Sequence, residues 1–182
     1  MPRLSYARRV EILRTPRLLL REFTPDDALF VLELLSDPDW HRFISDPGVR
    51  DATQARDWMA SRLFEPYRRL GYGFWAVELL AGNEPSGLLV GLCGLFKRDS
   101  LPEPDLGYAL LPRHRGHGYA REAAAACVRH ARERLAFPTL MAITATDNAV
   151  SQRLLRELGF GDLGEQWLAG YEVPSRVFRT DF

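Results

Sequence analysis

The spacing of hydrophobic and polar residues divides the chain into strand-like and helix-like segments. Residues 17–23, with three consecutive leucines, have the pattern of a strand. In the helical segment that follows, Thr24 suits the N-cap and Pro25 the first helical position. Residues 51–64 repeat apolar side chains at helical spacing, and Pro66 is predicted to end this second helix. The chain is therefore expected to begin with one strand and two helices.

The middle of the chain reads as a meander of strands followed by a long helix. The three strand-like runs are residues 73–80, 88–97 and 105–111. Residues 118–135 instead place small apolar side chains three and four positions apart, which predicts a helix that can lie close to a sheet. A strand at 140–146, a helix that ends at Gly159, and one or two C-terminal strands complete the order.

This order of elements predicts a mixed α/β sheet with helices on both faces. We expect a single domain over residues 1–182, in which residues 1–14 form a flexible or edge N-terminal arm, because no linker-like composition marks a boundary. No segment has the pattern of a signal peptide or the length of a membrane span. The sequence thus predicts a cytoplasmic protein without a membrane partner.

Charge and cysteine content narrow the function classes. The 182 residues contain 24 Lys and Arg against 24 Asp and Glu, so no overall charge favours nucleic acid, and any anion site must be local. Cys93 and Cys127 lie in apolar segments without metal-ligand or redox-pair spacing. They are expected to be core residues in a reducing compartment, and no metal site is predicted.

The stretch "LGYALLPRHRGHGYAREAAAA" carries the clearest chemical signal. A predicted strand runs into a basic turn with Gly116 and Gly118 and then into an alanine-rich helix. The start of a helix offers unpaired N–H groups and a positive dipole end, which suits a phosphate or pyrophosphate. A surface turn whose glycines only shape the backbone is the alternative. A P-loop is excluded because no Lys and hydroxyl pair ends the turn, and a dinucleotide fingerprint is disfavoured by the mid-chain position.

A family resemblance goes further than this turn. The segment from Arg115 to Ala120 resembles the acetyl-CoA signature of the GNAT superfamily of N-acetyltransferases. Three longer segments, "TPRLLLREFTPDDA", "DLGYALLPRHRGHGYAREA" and "NAVSQRLLRELGF", resemble its RimJ/RimL-like branch of ribosomal-protein N-terminal acetyltransferases. The resemblance implies a GNAT-type α/β fold with a mostly antiparallel sheet of about seven strands. It also implies a V-shaped split between the fourth and fifth predicted strands, residues 105–111 and 140–146.

The resemblance implies an acetyl-CoA-dependent N-acetyltransferase. It would pass the acetyl group directly to a primary amine, either a protein N-terminus or a small molecule. A non-catalytic acyl-CoA-binding regulatory module with the same fold is the alternative, and a nucleic-acid-binding turn is disfavoured by the neutral charge. The identity of the acceptor stays open, as does the homodimer that is common in the family.

The resemblance also assigns residues to the coenzyme. They are Leu110, Leu111, Arg113, Arg115, Gly116, His117, Gly118, Tyr119, Ala120, Arg121, Asn148 and Ser151. The backbone N–H of Leu110 or Leu111 is expected to polarise the thioester carbonyl.

Three side chains are implied in proton transfer. Ser151 matches the serine that, in this branch, is the candidate acid for the departing thiolate. The alternative for Ser151 is a first-turn serine without a chemical role, and the alternative for Asn148 is a simple helix cap. Asp105 stands where the branch often has a glutamate base. Aspartate is one methylene shorter than glutamate, so Asp105 could act through a water molecule, only orient the amine, or have a purely structural position. Glu78 is the reserve candidate for the base.

Overall fold

A central sheet of eight strands organises the molecule, and the computed structural model describes residues 9–182. The strands are β1 (Glu11–Arg14), β2 (Leu18–Arg21), β3 (Phe74–Ala81), β4 (Glu84–Phe96), β5 (Asp105–Leu110), β6 (Thr139–Ala145), β7 (Gly161–Gln166) and β8 (Ser175–Asp181). Their spatial order is β1-β2-β3-β4-β5-β6-β8-β7. Among these described strands, β5 and β6 pair in parallel and all other neighbours are antiparallel, so the predicted mixed, mostly antiparallel α/β fold is confirmed.

The helices lie on both faces of the sheet. They are α1 (Ala28–Leu35), α2 (Pro38–Phe43), α3 (Ala52–Met59), α4 (Glu65–Leu70), α5 (Tyr119–Glu133) and α6 (Ala149–Glu157). One core packs α5 and α6 on the sheet, and a second packs α1, α2 and α3 on the opposite face. Because helices cover both faces of the sheet, a binding site is expected at the ends of the strands.

The small-residue stripe of α5 packs as the sequence predicts. Ala123, Ala124, Cys127 and Ala131 are fully buried in one cluster with Trp75. Because these side chains are short, the helix axis can approach the sheet closely. The sulfur of Cys127 lies 3.5 Å from that of Cys93, and burial raises the pKa of the Cys127 thiol. Both cysteines are core residues in this fold.

Two local predictions need correction. Pro66 does not end the second helix, because α3 continues through a π-helical turn (Ala60–Phe64) into α4 and ends at Gly71. Pro66 lies in the first turn of α4, where the missing N–H costs least. Between the two helices predicted for the start of the chain, the structure contains a third, the six-residue helix α2, whose N-cap Asp37 accepts a hydrogen bond from the Asp39 N–H at 3.1 Å.

The N-terminal arm is described only in part. Residues 1–8 of the predicted arm 1–14 lie outside the described residues, whereas Glu11–Arg14 form the edge strand β1. Among residues 9–182, no helix combines the length and the apolar character that crossing a bilayer requires. Over the same residues, no group of three or more His, Cys, Asp or Glu side chains is arranged to hold a metal ion.

Candidate active site

The sheet opens between β5 and β6. β5 pairs with β4 in unbroken register from Asp105 to Leu110, and β6 pairs with β8 over its whole length. Between β5 and β6, however, the register contains one pair, Asp105 with Met141. Two well-paired halves of the sheet therefore diverge from the Asp105 end, which confirms the predicted V-shaped split.

The backbone of β5 presents N–H groups to this split. The N–H of Leu111 donates to the carbonyl of Val90 at 3.0 Å, on the β4 side. Because N–H groups alternate in direction along a strand, those of Leu110 and Tyr108 point to the opposite side, toward the split. Of the two expected donors, Leu111 is thus engaged by β4 and Leu110 faces the gap. Tyr108, which was not among the expected donors, offers a second N–H to the gap.

A glycine-rich loop lies at the open end of the split. Gly116 and Gly118 both have a φ of 79°, a conformation that side-chain-bearing residues rarely adopt. Gly118 is the N-cap of α5, and no side chain caps this helix start within the described chain. The first N–H groups of α5 are therefore left without side-chain partners at the mouth of the split, an arrangement that suits an anion.

Arg115 joins this loop to α2 and β5. Its guanidinium donates to the carboxylates of Asp37 and Asp39, and its Nε donates to the carbonyl of Leu110 at 3.0 Å. One cation thus holds the loop, a helix on one face of the sheet, and the end of β5 together. An incoming anion has to compete with two carboxylates for this guanidinium.

The other basic residues of the loop are also engaged. Arg113 Nη2 donates to Glu33 Oε2 at 3.1 Å, and Arg121 Nε lies 3.6 Å from Glu157 Oε2. The His117 ring stacks on Tyr119 with ring centroids 5.6 Å apart. The predicted positive charge is present around the loop, but carboxylates of α1, α2 and α6 offset much of it.

Arg17, which was not among the expected site residues, contacts the loop from the hairpin between β1 and β2. Its Nη1 donates to the His117 carbonyl at 2.9 Å, and its guanidinium lies 4.8 Å from the centre of the Tyr119 ring. Glu122, in the first turn of α5, accepts from Arg17 Nε at 2.6 Å and from Thr15 Oγ1 at 2.5 Å. Although burial acts to raise the pKa of Glu122, these hydrogen bonds lower it overall. The hairpin between β1 and β2 is thereby fastened to the loop.

Ser151 lies beside the split with a tyrosine partner. Its Oγ is 2.8 Å from the hydroxyl of Tyr108, and the Asn148 side chain accepts a hydrogen bond from its N–H at 3.1 Å. Asn148 is therefore the N-cap of α6. Burial raises the pKa of Tyr108, which keeps the phenol protonated and able to donate. Tyr108 was not among the expected site residues, although it lies inside the recognised "LGYALL" segment.

Asp105 occupies the closed end of the split in an ion pair. Its carboxylate is 1% exposed and accepts from Arg98 Nε at 2.9 Å and Arg98 Nη2 at 2.7 Å. Arg98 also donates to the hydroxyl of Tyr171. Burial raises the pKa of Asp105, although the guanidinium opposes this shift. A proton acceptor is thus present at this end of the split, but both of its oxygens are occupied.

Glu78 is not brought to the split, which corrects its place as reserve base. It lies on β3, two strands away from β5, and its carboxylate is fully buried. Arg21 Nε donates to it at 2.8 Å and the Gly87 N–H at 2.7 Å. These contacts join β2, β3 and β4, so Glu78 holds the sheet together.

The chain resembles known acetyltransferases in sequence and in structure. The family model described as the acetyltransferase (GNAT) domain matches residues 17–161. The Bacillus subtilis protein YkkB is 30% identical over 152 residues, which cover 81% of this chain and 83% of YkkB. An acetyltransferase structure from Agrobacterium tumefaciens superposes with a TM-score of 0.78 at 26% identity, covering 93% of this chain and 94% of that one. RimL, a ribosomal L7/L12 α-N-protein acetyltransferase solved in complex with coenzyme A, gives a TM-score of 0.75 at 17% identity over 94% and 98% of the two chains.

Proposed function

Because the chain belongs to the GNAT family of N-acetyltransferases, we propose that it passes the acetyl group of acetyl-CoA directly to the nitrogen of a primary amine. The observation that carries this proposal is the split between β5 and β6, whose open end meets the glycine loop before α5. A narrow gap lined by backbone N–H groups suits an extended chain that ends in a pyrophosphate. Coenzyme A has that shape.

The coenzyme is proposed to bind along β5 as an added strand. The N–H groups of Leu110 and Tyr108 would pair with its carbonyl oxygens, and those of residues 115–121 would hold the pyrophosphate. Arg113 and Arg115 would add charge by exchanging their carboxylate partners for phosphate oxygens. The coenzyme A complex of RimL, a protein of the same fold, supports coenzyme A as the ligand.

The chemistry proceeds by direct attack. The neutral amine nitrogen bonds to the thioester carbon. The oxyanion accepts a hydrogen bond from the N–H of Leu110 or from that of Tyr108, two residues closer to Asp105 on β5. One well-placed N–H contributes about 3 kcal/mol in acyl transfer. When the carbon–sulfur bond breaks, the thiolate takes a proton from Ser151 Oγ. The attacking nitrogen gives up a proton as it becomes the amide, and this proton is passed through the Tyr108 hydroxyl to Ser151, so that both hydroxyls end the cycle protonated. The products are the amide and the free thiol of coenzyme A.

The amine must first lose a proton. Asp105 is the proposed acceptor because it lies at the closed end of the split, where the acyl end of the coenzyme would reach. Its two oxygens are held by Arg98, so the proton passes either through water or after Arg98 has been displaced. Asp105 therefore acts in concert with Arg98 and not as a free carboxylate.

Calorimetric titration with acetyl-CoA, followed by an assay of thiol release with a panel of amines, tests the proposal. Saturable binding with release of coenzyme A by at least one amine is expected, and mass spectrometry then identifies the N-acetyl product. Binding without thiol release from any amine would instead indicate the non-catalytic module. The absence of binding would contradict both functions.

A further inference from the structure

A cavity of about 440 Å³ opens beside the Asp105–Arg98 ion pair. It lies between the end of β4 and the helical segment formed by the π-helical turn and α4. Four cationic side chains line it, against the two carboxylates of Glu65 and Asp99: Arg62, Arg69, Lys97 and Arg98. The lining therefore carries an excess of positive charge in a protein whose overall charge is zero.

Among the residues that the structure describes, two of these cations have no carboxylate within 4 Å. Arg69 pairs with Glu65 at 3.0 Å, and Arg98 pairs with Asp105. Lys97 Nζ donates instead to the backbone carbonyls of Arg98 and Leu101. Arg62 has no carboxylate within 4 Å in the part of the chain that the structure describes. Arg62 and Lys97 thus offer positive charge to a ligand without the loss of an internal ion pair, whereas Arg98 becomes available only when its pair with Asp105 opens.

The cavity and the proposed base lie on the same face of the sheet. Phe96, which lines the cavity, is the cross-strand partner of Asp105, and directly opposed residues of an antiparallel pair project to one face. The Arg98 guanidinium is 5.7 Å from the centre of the Phe96 ring and also holds both oxygens of Asp105. Arg98 therefore stands between the cavity and Asp105.

This arrangement constrains the charge of an acceptor. An ammonium that displaced Arg98 from Asp105 would leave a guanidinium, 23% exposed, without its counter-charge and beside three other cations. A polyamine would add further positive charge to the same place. A ligand with one ammonium and one carboxylate instead replaces the internal pair by two new pairs, and no buried charge is left alone.

We propose that the acceptor is a primary amine that also carries a carboxylate, which this cavity binds. The carboxylate pairs with Arg98 and Arg62 while the amine takes the place of Arg98 at Asp105. This inference rests on the proposed acetyltransferase function and names its substrate class. It also assigns Arg62 as a specificity-determining residue.

Matched acceptor pairs test the substrate class. The assay measures kcat/KM for thiol release with 4-aminobutyrate against 4-aminobutanamide, β-alanine against β-alaninamide, and the N-terminal peptide Ser-Asp-Ala-Ala-amide against Ser-Asn-Ala-Ala-amide, with spermidine as a polycation. The carboxylate member is expected to exceed its amide by at least tenfold in one or more pairs and to exceed spermidine. The two kinds of pair separate a free amino acid from an acidic peptide as the source of the carboxylate.

Charge reversal at Arg62 tests the residue. Arg62→Glu is expected to raise the KM of the preferred carboxylate acceptor at least tenfold while the KM of its amide and the Kd of acetyl-CoA stay unchanged. Arg68→Glu makes the same charge change on the same helical segment outside the cavity lining and should leave all three values unaltered. Exposed positions are used because replacement of Arg98 would also uncover Asp105.

The outcomes separate the two proposals. Turnover of spermidine or of the amides at or above the rate of the carboxylate members, or equal effects of Arg62→Glu and Arg68→Glu, overturns this inference and leaves the acetyltransferase function standing. Failure of every amine to release thiol, in a protein that does not bind acetyl-CoA, overturns the proposed function and this inference with it.

Discussion

The hydroxyl of Tyr108 lies 2.8 Å from Oγ of Ser151, and this contact joins β5 to the first turn of α6 across the split. The two residues are 43 positions apart in the sequence. Since the N–H of Tyr108 faces the split as well, one residue places both a backbone donor and a phenol at the proposed reaction centre. Ser151 is thereby given a partner from which to regain a proton.

Ser151→Ala is expected to lower kcat by on the order of 100-fold, because a positioned general acid contributes rate enhancements of this size or larger. The Kd of acetyl-CoA should change little, since the Ser151 N–H that Asn148 caps is retained. Tyr108→Phe removes the partner and should give a smaller loss. Steady-state assays of thiol release give kcat, and calorimetric titration gives the Kd of acetyl-CoA. A loss of affinity without a loss of kcat would assign Ser151 to binding alone.

Gly118→Val is expected to weaken acetyl-CoA binding at least tenfold, because a β-branched residue disfavours the φ of 79° that aims the first N–H groups of α5. Gly164→Val is the matched control: its φ is 81°, and it lies in β7, away from the loop. Both variants should lose about 1–3 kcal/mol of stability from the backbone strain. Equal coenzyme affinities in the two variants would remove the loop from the binding site.

Glu122→Gln is expected to weaken acetyl-CoA binding about fivefold and to lower stability at neutral pH by about 1–2 kcal/mol, because Arg17 and Thr15 lose a charged partner. Glu133→Gln, an exposed change on the same helix, is the control.

The pH dependence of the Glu122 variant follows from its pKa, which the folded state holds below the usual 4.5. The stabilisation is therefore complete above pH 4.5 and is lost as the pH falls through the lowered pKa. Urea unfolding of wild type and variant should show a gap at pH 7 that narrows in acid. A gap that stays constant with pH would mean that the carboxylate charge is not responsible.

Glu78→Gln is expected to lower stability by about 1.5–3 kcal/mol, the range for a hydrogen bond to a charged group, because Arg21 loses its partner inside the sheet. The kcat of the folded variant should match that of wild type, since β3 is two strands from the split. Glu84→Gln, exposed on β4, should be neutral in both measurements. A large loss of kcat at unchanged stability would return Glu78 to the catalytic candidates.

The sequence by itself predicted most of the strands and helices and indicated the family. The reliable signals were local patterns, because helix and turn preferences depend on nearby residues. They are Thr24 and Pro25 at a helix start, the small-residue stripe of α5, and the glycines before it. The ordered segments were enough to indicate the family and the split between 105–111 and 140–146. The prediction that Pro66 ends the second helix was wrong. Pro66 lies in the first turn of α4, and the local sequence does not show where this helix begins.

Only the tertiary structure decided which charges and hydroxyls meet. Arg17 reaches the His117 carbonyl 100 positions away, Arg98 occupies Asp105, and Tyr108 meets Ser151. Each of these contacts depends on which strands are neighbours and on the face of the sheet to which a side chain projects. Local sequence patterns predict neither the strand order nor the partner that a side chain meets. The same reason separated the two acidic candidates: β-sheet order placed Asp105 at the split and Glu78 two strands away, although both are carboxylates on neighbouring stretches of the chain.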